Sequence, residues 1–236
     1  MVPRPPRFPD PRTTGPEGLV ALGGGLTPDW LESAYREGIF PWPVAEADAM
    51  TWFCPPRRAI LDFSELHVPR SLRAAANKKI FEFTFDQAFS DVIAACADAY
   101  RPGQPGTWIT DDLEQAYLAF HRAGFAHSVE AWVRMPSGER ELAGGLYGVF
   151  IDGAFAGESM FYRAPNASKL ALLHLVEKLR AVGIGWMDIQ MLTPHMERLG
   201  ARELSRDDFL NRLSLTHRTW RARSDPPPRL PWPVSG

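Results

Sequence analysis

From Val129 to Gln190 the chain reads as a hairpin followed by a strand, a helix and a strand. That order restricts the available folds more than any other stretch. Val129, Ala131 and Val133 alternate as a strand, Pro136-Ser137-Gly138 turns it, and Leu142 to Val149 supplies the hairpin partner. Ala154 to Ser159 is a further strand. Ser168 opens a helix carrying Leu172, Leu173, Val176 and Leu179, and Trp186 to Gln190 is the next strand. Hairpin strands followed by strand–helix–strand predict an α+β mixed sheet with helices on both faces. The pattern suits an acetyltransferase-like, GNAT-type core. α/β proteins gather their chemistry where a strand end meets a helix start. The polar groups at 157–159, 166–169 and 188–190 therefore stand out.

Upstream, Phe81, Phe83 and Phe85 alternate with Glu82 and Thr84 as a half-buried strand. Asp86 is expected to cap a helix with Phe89, Val92, Ile93 and Cys96 on one stripe, and Thr110 to cap another. Nearer the start, Thr27 with Pro28 behind it opens a helix that Gly38 stops. Trp52-Phe53 and Ala59-Ile60-Leu61 read as short strands, and Pro69 starts a basic helix through Ala76. Ser205 opens the last helix, with Asp208 at the capping-box position. These segments divide into a small N-terminal block over 17–80 and a longer one over 81–224, expected to be two domains. The flanks 1–16 and 225–236 are rich in proline, which removes backbone donors, and are expected to be disordered.

Composition excludes several classes. The 236 residues carry a formal charge of −2, which argues against a general nucleic-acid coat but leaves room for local basic patches. Only Cys54 and Cys96 are present, without a metal-binding or redox spacing, which fits a reducing cytoplasm and no metal. No apolar run approaches the ~18 residues that a membrane span needs.

Three places could carry chemistry. Glu158 lies among Phe155, Met160 and Phe161: either an edge-strand carboxylate facing water or one that holds a substrate ammonium in an apolar pocket. Asp188 and Gln190 stand two apart on a strand and so share a face, with Met187, Ile189 and Met191 opposite. They read as a structural pair, or as a relay in which Asp188 orients a partner and Gln190 orients a reacting amine or carbonyl. Asn166, Ser168 and Lys169 sit at a helix start, where they either cap it or meet an anion. Arg57, Arg58, Arg70, Arg73, Lys78 and Lys79 cluster against only Asp62 and Glu65. Trp52 and Phe53 lie beside them, and aromatics next to arginines suit stacking on unpaired bases. Trp42, Trp108 and Trp132 read equally as core.

Taken in order, the motifs resemble one family, the leucyl/phenylalanyl-tRNA–protein transferases. They are Gly18-Leu19-Val20-Ala21-Leu22-Gly23-Gly24, Gly38-Ile39-Phe40-Pro41-Trp42, Gly106-Thr107-Trp108-Ile109-Thr110, His127-Ser128-Val129-Glu130, Gly144 to Val149, Gly157 to Phe161, Asn166 to Leu172 and Asp188-Ile189-Gln190. The resemblance implies transfer of Leu or Phe, less well Met, from aminoacyl-tRNA to an N-terminal Arg or Lys of proteins. The product looks like a signal for the N-degron pathway. The resemblance implies Asp188 and Gln190 as catalytic residues and Glu158, Phe155, Met160, Leu146, Tyr147 and Ser159 as substrate-binding ones. It implies Trp52, Arg58, Trp108, Asn166, Ser168 and Lys169 on the tRNA side, no cofactor and no membrane. Cofactor-using acetyltransferases carry a glycine loop around the pyrophosphate, and Arg163 to Ser168 has no glycine. The family often has Met where Leu146 stands, and the run Trp52-Phe53-Cys54-Pro55-Pro56-Arg57-Arg58 departs from its usual Ser and second Pro.

Overall fold

The parallel neighbours in the main sheet are the two strands that flank the long apolar helix, as their connection requires. A computed structural model describes residues 6–44, 47, 49–99, 107–224 and 230. In chain order the elements are β1 (Leu19–Leu22), α1 (Pro28–Arg36), β2 (Phe40–Pro41), β3 (Thr51–Phe53), β4 (Arg57–Asp62) and α2 (Arg70–Asn77). Then come β5 (Phe81–Phe85), α3 (Phe89–Ala97), α4 (Asp111–Arg122), β6 (Ala126–Arg134), β7 (Arg140–Ile151) and β8 (Ala154–Tyr162). The rest is α5 (Ala167–Ala181), β9 (Trp186–Gln190), α6 (Pro194–Arg198), β10 (Arg202–Ser205) and α7 (Arg206–Arg221).

Seven strands form one mixed sheet in the order β10-β4-β9-β8-β7-β6-β5, and β1-β3-β2 form a small second sheet. Within the large sheet β8 and β9 run parallel and the other pairs antiparallel. A parallel pair needs a crossover, and α5 supplies it. Leu170, Ala171, Leu175 and Leu179 of α5 are buried with Val129, Leu146 and Phe155 on one side of the sheet. Val92 and Ile93 of α3, Leu113 and Phe120 of α4 and Leu31 of α1 are buried with Tyr147 and Val149 on the other. Helices therefore cover both faces. Gly144 permits the close seat of α5: a Cβ there would lie 2.6 Å from that of Ala167.

Several local expectations are met. Thr27 and Pro28 open α1, Leu31, Ala34 and Tyr35 form its buried stripe, and Gly38 turns at φ +74°. Ile39 N–H then returns to the carbonyl of Ala34 at 2.9 Å, the closing bond of a Schellman motif. Thr110 and Ser205 cap α4 and α7 through their hydroxyls. No helix among the described residues is long and apolar enough to cross a membrane.

Others are corrected. Asp86 caps no helix. It is buried at φ +57° and takes the Ser128 N–H and the His127 ring nitrogen, each at 2.8 Å. The expected division at 80 cuts through the large sheet, because β4 pairs with β9 and β10; the change of sheet falls between Phe53 and Arg57. The described part of the N-terminal flank is folded. Phe8 is buried against Trp30 and Trp52, Asp10 caps a short 3-10 turn, and Arg12 bonds Asp207 and Asn211, each at 2.8 Å. Leu230 is also buried. The rest of 225–236 and residues 1–5 lie outside the described residues.

Candidate active site

Two interrupted strands make the site. Along β7 and β8 the register passes from Tyr147–Ser159 to Gly148–Gly157, which leaves Glu158 over as a bulge residue. Along β4 and β9 it passes from Ile60–Asp188 to Ala59–Gln190, which leaves Ile189 over. The ladder between the parallel strands is carried by Phe155–Met187 and Ala156–Asp188. Beyond it β8 continues along β7 and β9 along β4. The strands thus part just where each is bulged, and bulges re-aim side chains.

A cleft of about 270 Å³ opens at that parting. Its walls include Leu146, Tyr147, Gly157, Glu158, Ser159 and Met160 from one side and Met187, Ile189, Gln190 and Met191 from the other. Leu172, Thr193, His195 and Met196 add to the wall. Phe40, Trp42 and Trp108 complete it, the two indoles stacked 5.3 Å apart at 17°. The lining is mostly apolar with few polar groups, the usual make-up of a small-molecule site.

Two of those polar groups, Glu158 and Gln190, belong to a hydrogen-bonded chain that runs back behind the cleft. Arg58 forks both oxygens of Asp188, at 2.8 and 2.7 Å, with its guanidinium held between the rings of Phe40 and Phe209, each 4.6 Å away. Asp188 also accepts the backbone N–H of Gln190 at 3.0 Å. Gln190 Nε2 donates to Glu158 Oε1 at 2.7 Å, and the Tyr117 hydroxyl donates to Oε2 at 3.2 Å. The Tyr35 hydroxyl stands 2.5 Å from that of Tyr117. Burial pushes Glu158 up to about 7; the tyrosine hydroxyls and Arg58 pull against this, while Asp188 adds to it. Burial, then the charge of Glu158, holds both phenols well above their ordinary value, so they remain neutral donors. Burial lowers His195, with Lys169 and Arg198 adding to the effect, which favours the neutral ring in the cleft wall.

The sequence candidates divide. Glu158, Gln190, Leu146, Tyr147, Ser159, Met160 and Trp108 meet in the cleft. Phe155 does not line it; the side chain is fully buried in the core beneath. Asp188 lies behind the cleft with Arg58, and it holds the backbone of Gln190 rather than its amide. The shared face expected of Asp188 and Gln190 fails because the bulge at Ile189 and φ +53° at Gln190 break the two-residue alternation. Met187, Ile189 and Met191 consequently line the same cleft as Gln190.

Trp52 and Arg58 are corrected as RNA contacts. Trp52 is fully buried between Phe8 and Trp30, its indole N–H donating to the carbonyl of Gly23 at 2.9 Å. The Arg58 side chain is 1% exposed and committed to Asp188. Ser168 is buried in the first turn of α5, and Asn166 precedes it at φ +70° without a side-chain cap bond; Lys169 is half-buried. Sequence reasoning missed Tyr35, Tyr117, Thr193 and His195. Thr193-Pro194 repeats the Thr27-Pro28 signal and marks the start of α6.

The cleft thus has apolar walls with a carboxylate and an amide at its base. The strand parting that holds it lies in an α+β fold with a mixed sheet. Two family models match the chain, one described as leucyl/phenylalanyl-tRNA protein transferase over residues 60–214 and one as that protein's N-terminal domain over 24–56. The leucyl/phenylalanyl-tRNA–protein transferase of Anaeromyxobacter sp. (strain K) is 48% identical over 235 residues, covering 100% of this chain and 96% of that one. That of Oleidesulfovibrio alaskensis is 52% identical over 206 residues, covering 87% and 83%. The solved structure of L-PGS from Bacillus licheniformis is 15% identical with a TM-score of 0.40, over 66% of this chain and 47% of that one, too distant to bear on function. The chain belongs to the leucyl/phenylalanyl-tRNA–protein transferase family and is a transferase.

Proposed function

We propose that the protein transfers Leu or Phe, and less well Met, from aminoacyl-tRNA to the N-terminal Arg or Lys of proteins, marking them for the N-degron pathway in the cytoplasm. The observation that carries the reading is Glu158, lifted out of register by a bulge and joined to Gln190 in an apolar cleft. The large sheet is read as GNAT-type, with the parting of β8 and β9 as its binding crevice. In this reading the aminoacyl side chain lies among Leu146, Met160 and Leu172, and its ammonium meets Glu158. The stacked Trp42 and Trp108 offer a platform for the terminal base, since stacking is sequence-tolerant and strong. Lys169 and the exposed Arg70, Arg73, Lys78 and Lys79 suit phosphates.

The chemistry is aminolysis of an ester. The acceptor's α-amine, with an ordinary pKa of ~7.7–8.0, is partly neutral near pH 7 and attacks the ester carbonyl. A C–N bond forms, the C–O bond to the terminal ribose breaks, the ribose oxygen gains a proton, and the amine nitrogen loses one. Gln190 has a second amide N–H and a carbonyl oxygen beyond its bond to Glu158, and these orient the amine and the carbonyl. Asp188 and Arg58 hold Gln190 in place from behind.

The test mixes the protein with Leu-tRNA and an Arg-initiated peptide, without coenzyme. The expected result is a peptide heavier by one leucine, with an Ala-initiated peptide unchanged. Failure to gain leucine there, or acetylation of the peptide in a parallel reaction given acetyl-CoA in place of Leu-tRNA, would overturn the reading.

A further inference from the structure

Two buried phenols stand behind Glu158, the one carboxylate among the described residues that lines the cleft, and neither belongs to the strands that form it. Tyr35 comes from α1 and Tyr117 from α4. Tyr35 is 6% exposed and Tyr117 not at all, so their hydroxyls make their bonds away from bulk water. The rings are held by neighbours: Tyr117 edge-on to Tyr147 with centroids 5.4 Å apart, Tyr35 stacked on Phe120 at 6.2 Å. Glu158 receives one donor on each oxygen, Gln190 Nε2 at 2.7 Å and the Tyr117 hydroxyl at 3.2 Å. A phenol has a single proton. If Tyr117 gives its proton to Glu158, the bond of 2.5 Å between the phenols takes Tyr35 as donor.

We propose that Tyr35 and Tyr117 are positioning residues of this transferase: the phenol pair fixes the carboxylate of Glu158 toward the cleft and favours its charged form, which the α-ammonium of the aminoacyl group requires. The proposal rests on the function argued above and adds the groups that make Glu158 fit for it. Burial works against the charge and lifts Glu158 to about 7, while both tyrosines oppose the lift, Tyr117 by its own hydrogen bond and Tyr35 from behind Tyr117. The other groups around Glu158 are Arg58 from β4, and Asp188 and Gln190 from β9. Arg58 favours the charge and Asp188 opposes it. Hydrogen bonds to a charged form favour that form. One consequence concerns the N-terminal part of the chain. α1 lies within the segment matched by the N-terminal family model, so that segment supplies a polar group to the site rather than packing alone.

Tyr117→Phe and Tyr35→Phe keep the rings and remove only the hydroxyls. Two readouts test the proposal on the full chain. The first is the carboxyl titration of Glu158 by carbon NMR on free protein labelled at glutamate, assigned by its disappearance in Glu158→Gln. Its midpoint should move upward in both variants. The second is single-turnover transfer from Leu-tRNA between pH 6 and 9. The apparent affinity for Leu-tRNA should weaken about tenfold near pH 6.5 in Tyr117→Phe, equal to a one-unit change in the carboxyl equilibrium, and recover by pH 9. The saturating rate should stay within about twofold. Unmoved midpoints, or a loss equal at all pH values in variants whose thermal midpoints match the parent, overturn the proposal. Because the titration needs no tRNA, a moved midpoint in a protein that transfers nothing would refute the transfer reading and leave the role of the phenols standing.

Discussion

Removing Arg58 while leaving Asp188 tests whether the polar chain behind the cleft is a structural element or an incidental contact. Arg58→Met fills similar space between Phe40 and Phe209 but leaves a carboxylate whose side chain is 6% exposed without its cation. Two bonds of 2.8 and 2.7 Å disappear, and the Gln190 N–H at 3.0 Å is the donor that remains among those described. Breaking a buried pair by removing one partner costs about 3–5 kcal/mol. For a chain of this length each kcal/mol moves the thermal midpoint by roughly 2–4 °C, so the midpoint should fall by roughly 6–20 °C. Arg58→Lys keeps the charge and loses the fork, so it should fall between the parent and Arg58→Met. In Arg58→Met with Asp188→Leu no buried charge is left over. The loss in that double variant should be smaller than the sum of the two single losses by about 1–3 kcal/mol. Circular dichroism melts and urea titrations on the parent, the three single variants and the double variant supply the numbers. An Arg58→Met midpoint within about 2 °C of the parent, or strict additivity in the cycle, would refute the reasoning.

Glu158→Gln should trade function for stability. The native carboxyl is lifted from its ordinary 4.5 to about 7, so between those values the folded state binds its proton more tightly than the unfolded chain. Rising pH therefore erodes stability across that window, and the Gln variant escapes the loss: in urea it should exceed the parent by up to about 3 kcal/mol at pH 8 and match it at pH 4. An equal difference at both pH values would count against a buried, titrating Glu158. Met160→Ala enlarges the cleft wall and should shift competition between Leu-tRNA and Phe-tRNA toward Phe by about tenfold, since apolar pockets discriminate by ~1–3 kcal/mol per methylene; an unchanged ratio would remove Met160 from the side-chain pocket. Phe8→Ala should cost about 3 kcal/mol in urea denaturation, because Phe8 covers Trp30 and Trp52; a loss below about 0.5 kcal/mol would restore the view of this flank as unstructured.

Much of the framework was legible because it depends on local pattern. The alternation in 129–159, the apolar helix after Ser168 and the strand Trp186–Gln190 follow from periodicity, and the mixed sheet follows from their order. The motifs also located Glu158 and Gln190 at the cleft. The failures share a cause: each depends on partners distant in the chain. Arg58 reads as one more cation in a basic run, and only the pairing of β4 with β9 sets it on Asp188. Trp52 beside arginines resembles a stacking surface until Phe8 and Trp30 close over it. Proline-rich composition hid the anchoring of 6–14, which rests on the Phe8 ring, on Arg12 reaching Asp207 and Asn211, and on Ser33 and Arg206 bonding the carbonyls of Pro6 and Thr14. The bulges at Glu158 and Ile189 lie in runs that alternate acceptably by sequence, and register between strands is what reveals them. Tyr35 and Tyr117 sit on the buried stripes of two helices and read there as core.

The most direct measurement is a structure of the protein with an amide-linked leucyl-adenosine, which mimics the acylated RNA end but resists transfer. The expected density places the leucyl amine within hydrogen-bond distance of Glu158, the isobutyl group among Leu146, Met160 and Leu172, and the adenine on the Trp42–Trp108 stack. An amine remote from Glu158, or an analogue bound outside the parting of β8 and β9, would contradict the assignment of this cleft as the aminoacyl site.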